Sequence, residues 1–592
     1  MGGSLHGTKS VFSHCNLDSE SSVWPKIVNT GLRQFYKDKA AKSFALWFSS
    51  LLAAFTICPR ERVFLGIQYN QNMRRKKLPI GIQTFAKIRE DQAYYYVDKT
   101  PFALQLIEQG NHYFLSRPRR FGKSLFLDTL KELFEGNQAL FAGLYADQHW
   151  DWSVKYPVIR ISFGGGVHKH QSALEAAIHE QLEGYESDWK IAEHLPDIPS
   201  RFKRLIQNIH HQSRQRVVVL IDEYDKPILD NLREPEIARE MREALRSFYS
   251  VLKDNDAHLK FVLITGVSKF SKVSLFSGLN NLKDITLDKR FSAICGYTES
   301  DLDTVFAPEL PDLDRGQIRR WYNGYNWSGE AVYNPFDLLL YFDCHEFRSF
   351  WFETGSPSFL IEFLTQNRWF TPDLMQREAD SSLLSSFDVD HIAPEALLWQ
   401  TGYLTFHKIE EISTGQWIYT LGYPNQEVEA ALNGALLPGY GPAAQPALVA
   451  RSRLVQALNK HDLEAVQRHI HALFASIPYE WYRRNSLAEF EGHYASVFYS
   501  QLAALGLNVQ PEDITNRGRI DLSLKLGQRV YLFEFKVIEG EPDGAALQQL
   551  IDRDYAAKYR APGIEITLIG IEFGKAERNL VGFETQIFEP VT

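Results

Sequence analysis

Residues 217–225 read VVVLIDEYD, and their first five positions are all apolar. Such a run cannot alternate between core and solvent, so it reads as a strand buried on both faces. Strands of that kind belong to parallel sheets covered by helices, and this one ends in adjacent carboxylates, Asp222 and Glu223. Upstream, HYFLS (His112–Ser116) leads through RPRRFGKS into LFLDTLKELF, where Leu127, Leu130 and Phe134 are spaced for one buried helix face. Strand, loop, Gly-Lys-Ser and helix follow in the order a phosphate-binding loop requires.

The residue types suit that chemistry. A helix N-terminus offers unpaired N–H groups and a positive dipole end to phosphate. Lys123 would reach the β- and γ-phosphates of ATP, Ser124 would ligate Mg²⁺, and Gly122 would let the backbone come close. Asp222 is placed to hold the Mg²⁺ water shell, and Glu223 to polarise an attacking water. A further strand, FVLITGVSK, ends in Thr265 and Ser268, the place for a residue that senses the γ-phosphate. One feature departs from GxxxxGK(S/T): Arg117 stands where the first glycine belongs, and Pro118 follows it. Arg117, Arg119 and Arg120 either touch phosphate or nucleic acid, or shape the loop. Taken singly, GKS also marks plain helix starts, and the acidic pair also fits a solvated loop. Their order, about a hundred residues apart, favours a nucleotide site.

A chain of 592 residues exceeds one core and implies three or four domains. Strands are expected at His112–Ser116, Val158–Phe163, Val217–Ile221 and Lys260–Thr265, and helices at Ser124–Phe134 and Glu234–Leu252. The expected divisions are an extension at 1–72, a P-loop domain at 73–300, a mixed, aromatic-rich region at 301–440, a linker and helix at 441–470, and a last domain at 471–592. Met73 reads as the native start, or 1–72 as a poorly ordered extension. GALLPGYGPAAQP (Gly434–Pro446) reads as linker, and Leu454–Ile477 as helix. WYNGYNW (Trp321–Trp327) suits core packing better than base stacking. The net charge of −9 gives no whole-chain attraction to nucleic acid, so any such role needs a local patch. Four scattered cysteines without a CxxC pair argue against a disulfide framework or zinc and fit a reducing cytoplasm. The apolar run Ala45–Ile57 is shorter than the roughly 20 residues a bilayer span needs, so no membrane role is expected.

Near the C-terminus, GRIDLSLKLGQRVYLFEFKV (Gly518–Val537) reads as a β-hairpin turning at Gly527-Gln528. That register sets Asp521 opposite Glu534, and Ile520, Leu522 and Leu524 opposite Phe535, Phe533 and Tyr531. One face is then apolar, and the other carries Arg519, Asp521, Ser523, Glu534 and Lys536. Two carboxylates could share a divalent cation while Lys536 orients or activates a water. An exposed cross-strand charge cluster would show the same residues. Glu491, near the start of the helix read over Ser486–Leu505, is a candidate third carboxylate, and Gln549, Tyr555 and Tyr559 follow the hairpin. The segment is expected to run helix, hairpin, helix, strand.

From about Leu78 to the end, the chain resembles a bacterial family that joins an AAA-ATPase-like domain to a C-terminal PD-(D/E)XK nuclease-superfamily domain. The resemblance rests on LPIGIQTFAKIR, YYVDKT, RPRRFGKSLFLDTL, VVVLIDEYDKPI, LITGVSKF, WYNGYNW with VYNPF, ETGSPSFL, QTGYLTF, GYPNQEV, and GRIDL followed by FEFK. The family shares the arginine-rich loop without its first glycine. The resemblance implies a P-loop NTPase parallel sheet with helices on both faces, a middle lid or coupling region over 300–440, and a C-terminal α/β restriction-endonuclease-like domain. It further implies ATP and Mg²⁺ as cofactors, with ATP bound by Lys123, Ser124, Asp222 and Glu223. A nuclease-like metal site would lie at Asp521, Glu534 and Lys536. The partners to expect are ATP, DNA or RNA, and further copies of the chain.

Overall fold

The computed structural model describes residues 75–588, apart from 192–194, 270–274, 277–278, 280, 356–359, 362–363, 365–373, 381–392, 438–446 and 476–490. The extension at 1–72, Met73, the run at 45–57 and most of the Gly/Pro-rich linker therefore lie outside the described residues.

Five parallel strands form the first sheet: β1 (His112–Ser116), β2 (Val158–Ser162), β3 (Val217–Asp222), β4 (Leu259–Gly266) and β5 (Lys283–Asp284), in the order β2-β3-β4-β1-β5. Every residue of β3 is buried, as its unbroken apolar run requires. Each such side chain contributes roughly 1.5–3 kcal/mol relative to exposure. Among the helices covering this sheet are α1 (Lys123–Phe134), α2 (Gln171–Asp188), α3 (Ile198–Ser213) and α4 (Pro235–Asp254). Because the strands are parallel, the carboxyl ends of β1, β3 and β4 open on the same edge, where ligands of open α/β sheets bind.

The middle region shares the core of that sheet. Trp351, Leu398, Tyr403, Val428 and Leu432 belong to the same apolar cluster as β1, β3 and β4. Its helices include α5 (Arg315–Tyr322), α6 (Pro335–Cys344), α7 (Pro394–Thr401) and α8 (Gln426–Leu436). A small antiparallel sheet, β6 (Arg377–Asp380), β7 (Thr405–Ser413) and β8 (Gln416–Gly422), lies between α6 and α8 in sequence. Within WYNGYNW, Tyr322, Tyr325 and Trp327 are buried, and Tyr325 meets Phe121 of the phosphate loop edge-on at 4.7 Å. These rings are core.

The stretch expected as one helix at 454–477 is broken at His461, whose φ of +58° ends α9 (Ala447–Lys460) before α10 (Leu463–Ala475). After α11 (Glu491–Ala503) comes a five-stranded sheet, ordered β13-β12-β11-β10-β9. Its strands are β9 (Asn508–Thr515), β10 (Gly518–Leu526), β11 (Arg529–Ile538), β12 (Glu565–Gly574) and β13 (Asn579–Phe588), with α12 (Ala545–Asp552) between β11 and β12. The hairpin turns at Gly527-Gln528, with Leu526 opposite Arg529 and Leu522 opposite Phe533.

Three expectations for this segment need correction. β9 and β13 are strands beyond the expected order; β9 lacks apolar alternation and carries Pro511, which an edge strand tolerates. Ile520 does not share a face with Leu522: it packs with Val530, Leu532 and Leu550, whereas Leu522 packs with Phe533 and Phe535. The chain changes face at Asp521, where Glu512 on the neighbouring strand has φ +48°. Finally, the face read as polar also holds Val530 and Leu532 and packs against Leu550 of α12.

Candidate active sites

The loop from β1 into α1 is bolted rather than flexible. Arg117 is fully buried, and its guanidinium donates to the carbonyls of Ser116 (2.8 Å), Thr286 (3.0 Å) and Phe291 (3.0 Å). It also stacks over Trp327 at 4.2 Å. Burial lowers its pKa to about 10, which leaves it charged at neutral pH. Arg117 therefore shapes the loop and takes no part in touching phosphate. Gly122 has φ +91°, and a Cβ there would meet nothing within 4 Å, so its conformation favours glycine rather than crowding.

Lys123 is buried, and its ammonium donates to the carbonyls of Arg117 and Pro118 at 2.9 Å each. Burial lowers its pKa, against the pull of Asp222 and Glu223. Arg119 is half-buried, and its carbonyl accepts from Trp351 Nε1 at 3.1 Å. Arg120 is exposed, with φ +67° and its guanidinium 4.7 Å from the Phe336 ring centre. A cavity of about 360 Å³ brings together Arg119, Arg120, Gly122, Lys123, Ser124 and Glu223, with apolar walls that include Ile82 and Phe336.

At the end of β3, Asp222 Oδ1 accepts from Thr265 Oγ1 at 2.9 Å, while Oδ2 lies 3.7 Å from Arg160 Nη2. Thr265 is wholly buried, so it reaches the site through Asp222 rather than by facing a phosphate. Ser268 likewise turns inward, onto Asp225. Glu223 has φ +51°, and its carboxylate lies against Gly164, where an added Cβ would sit 3.1 Å from Oε2. Burial raises the Glu223 pKa, opposed by Lys123, which suits a residue that accepts a proton.

Two residues here escaped the sequence reading. Arg160 on β2 bonds Asp128 of α1 at 2.6 Å and the Ser124 carbonyl at 3.4 Å, tying the phosphate-loop helix to Asp222. Asp225 is buried and accepts from the backbone of Val267 and Ser268, pinning the end of β4 beside β3. A lone charge inside the strand VIRIS and a third acid in DEYD were the available signals.

In the C-terminal sheet, Asp521, Glu534 and Lys536 lie together. Asp521 Oδ2 accepts from the Phe535 N–H at 2.8 Å. Glu534 is 1% exposed; its Oε1 accepts from Gln549 of α12, and its Oε2 is buried without a partner. Lys536 Nζ sits 3.8 Å from Glu534 Oε1 and 3.4 Å from Glu491 Oε2. Burial raises the pKa of both Asp521 and Glu534, and Asp521 raises Glu534 further. Glu491 is not brought into one group with the other two acids; among the described residues no three His, Cys, Asp or Glu side chains form a metal cage. The orphaned Glu534 oxygen and its repulsion by the half-buried Asp521 fit a divalent cation held by Asp521 and Glu534, with water completing its shell.

Comparison with known proteins finds a match over each of the two domains. The family described as predicted AAA-ATPase matches residues 79–276, and the PD-(D/E)XK nuclease superfamily matches residues 489–583. The uncharacterized protein in the vnfD 5′ region of Azotobacter chroococcum mcd 1 is 60% identical over 513 residues, spanning 86% of this chain and 99% of that protein. With the two matches in this order and that relative aligned along nearly its whole length, the chain belongs to the family that joins an AAA-ATPase-like domain to a C-terminal PD-(D/E)XK nuclease-superfamily domain.

Proposed function

We propose that this chain binds ATP with Mg²⁺ and that its nucleotide state controls a metal-dependent nuclease site acting on DNA or RNA. The observation that carries the reading is Glu534: a buried carboxyl with one oxygen unbonded, set beside Asp521 and Lys536. Leaving a buried carboxyl oxygen without a hydrogen-bond partner is costly, and a site of this make-up is retained for what it binds.

At the nucleotide site, Lys123 and the N–H groups that open α1 bind the phosphates, and Ser124 and Asp222 hold Mg²⁺. Thr265 and Arg160 fix the Asp222 carboxylate, and Glu223 takes a proton from water. At the second site, Asp521 and Glu534 hold the cation, Gln549 orients Glu534, and Lys536 positions a water against the phosphodiester. A cation held by Asp521 and Glu534 would offset negative charge developing on the phosphodiester and make a nearby water more acidic. We place the protein in the cytoplasm; among the described residues no helix is long and apolar enough to cross a membrane.

The test uses the full chain with Mg²⁺ or Mn²⁺, with and without ATP, on single- and double-stranded DNA and RNA. Cleavage by the wild type that Asp521→Ala abolishes, with nucleotide binding that Lys123→Ala abolishes, supports the reading. Nucleic-acid binding without cleavage under every condition would instead make the C-terminal site a non-catalytic binding module.

A further inference from the structure

Trp351 and the start of α8, in and beside GYPNQEV, supply the residues that join the two sites. Trp351, just ahead of ETGSPSFL, donates its indole Nε1–H to the Arg119 carbonyl of the phosphate loop at 3.1 Å. Its backbone N–H donates to Glu427 Oε1 at 3.0 Å, in the first turn of α8. Two residues on, Glu429 accepts from the Tyr499 hydroxyl of α11 at 2.9 Å, and Gln426 bonds the Gly506 carbonyl just past that helix. The first residue of α11 is Glu491, 3.4 Å from Lys536. Two helices and the side chains of Trp351, Glu427, Glu429, Tyr499 and Glu491 thus link the nucleotide loop to the lysine of the second site.

The chemistry makes these links stiff. Glu427 is fully buried beside Asp337, and its Oε1 accepts from the N–H groups of Trp351 and Phe352. If the phosphate loop moves Trp351, Glu427 must follow or lose its donors inside the core, which is costly. Tyr499 is fully buried and Glu429 half-buried, and the Tyr499 hydroxyl would lose its acceptor inside the core if the two parted, so the next step carries a like penalty. α11, about 20 Å long at 1.5 Å per residue, then moves as a rod.

We propose that the Glu429–Tyr499 hydrogen bond is the contact through which the phosphate loop sets the position of α11, and with it Glu491 beside Lys536. The proposal rests on the nucleotide-controlled nuclease reading above, but its test does not need cleavage. Hydrogen–deuterium exchange across 491–506 is measured in the full chain with and without a non-hydrolysable ATP analogue and Mg²⁺, with nucleotide affinity measured separately. The wild type should change exchange in this segment by at least threefold on binding. Tyr499→Phe should bind the analogue within twofold of wild type and lose that change, whereas Glu429→Gln, which keeps an acceptor, should retain it. A wild type that binds nucleotide without altering 491–506, or a Tyr499→Phe protein that keeps the full response, overturns the proposal. Absence of cleavage with the exchange response intact overturns the nuclease reading alone.

Discussion

Asp521 and Glu534 stand where the β10–β11 ladder ends. Pairing runs from Leu526↔Arg529 to Leu522↔Phe533, and at the next position the Asp521 carboxylate takes the Phe535 N–H at 2.8 Å. A side chain has replaced a backbone carbonyl as acceptor, so β10 is free to turn over, and Ile520 goes to the opposite face. The same break leaves one Glu534 oxygen buried and unbonded. A fold defect and a candidate ligand set are therefore one feature.

Burial holds Asp521 up at about 6, and burial with the neighbouring Asp521 charge holds Glu534 at about 8. A divalent cation needs both groups ionised, so Mg²⁺ or Mn²⁺ affinity should climb as pH rises through this window, by up to about tenfold per unit for each proton displaced. Without metal the sign is opposite: these raised groups favour the folded chain below about pH 4, and that contribution is lost as pH rises through about 8. Calorimetric titration of Mn²⁺ at pH 6, 7 and 8 checks the first claim. A flat profile in the wild type, or an unchanged one in Glu534→Gln, would exclude this pair as the ligands.

Restoring the ordinary glycine to the phosphate loop should do harm. Arg117→Gly removes a guanidinium that satisfies three carbonyls and covers Trp327. The carbonyls of Thr286 and Phe291 would be left without this donor around a cavity, at a cost of about 3–5 kcal/mol. Chemical denaturation should show that loss, and nucleotide affinity should fall rather than rise.

What sequence revealed and what it hid divides by range. The phosphate loop, the β3 run with Asp222 and Glu223, and the hairpin register are local patterns of period and turn chemistry, legible because a one-residue shift would spoil them. Arg117 was ambiguous because its partners, Thr286 and Phe291, lie far along the chain. Arg160 looked like a stray charge in a strand until Asp128 and Asp222 closed around it. β9 stayed hidden because an edge strand with Pro511 need not alternate. Asp337 and Glu427, in VYNPFD and GYPNQEV, become a pair only in the folded chain.

Thr265→Val tests whether this threonine acts through Asp222. The valine is nearly isosteric but cannot donate to Oδ1, so the carboxylate keeps only its 3.7 Å approach to Arg160. The Mg²⁺ concentration for half-maximal ATP binding should rise about tenfold, since one hydrogen bond to a charged group is worth about 1.5 kcal/mol. Metal-free nucleotide affinity should stay within about twofold, because no phosphate contact is removed. Loss of metal-free affinity in a folded variant would instead make Thr265 a direct phosphate ligand.

Asp337 and Glu427 are both fully buried and face each other, yet neither Asp337 oxygen finds a donor when both groups are ionised. One shared proton resolves this, letting one carboxyl donate to the other. Burial raises both groups, Glu427 to about 7. The folded chain then holds protons that the unfolded chain releases above about pH 4, so this contribution is complete below that pH and falls as pH climbs through about 7, where Glu427 ionises. Asp337→Asn supplies a permanent donor and should flatten the dependence. Between pH 5 and 8 the wild type should lose about 2–3 kcal/mol more than the variant in urea unfolding. Parallel pH profiles for the two proteins would show that no proton is shared. Because Glu427 also holds the backbone of Trp351, the wild type should respond to pH at the phosphate loop as well, with tryptophan fluorescence shifting over the same range and Asp337→Asn suppressing the shift.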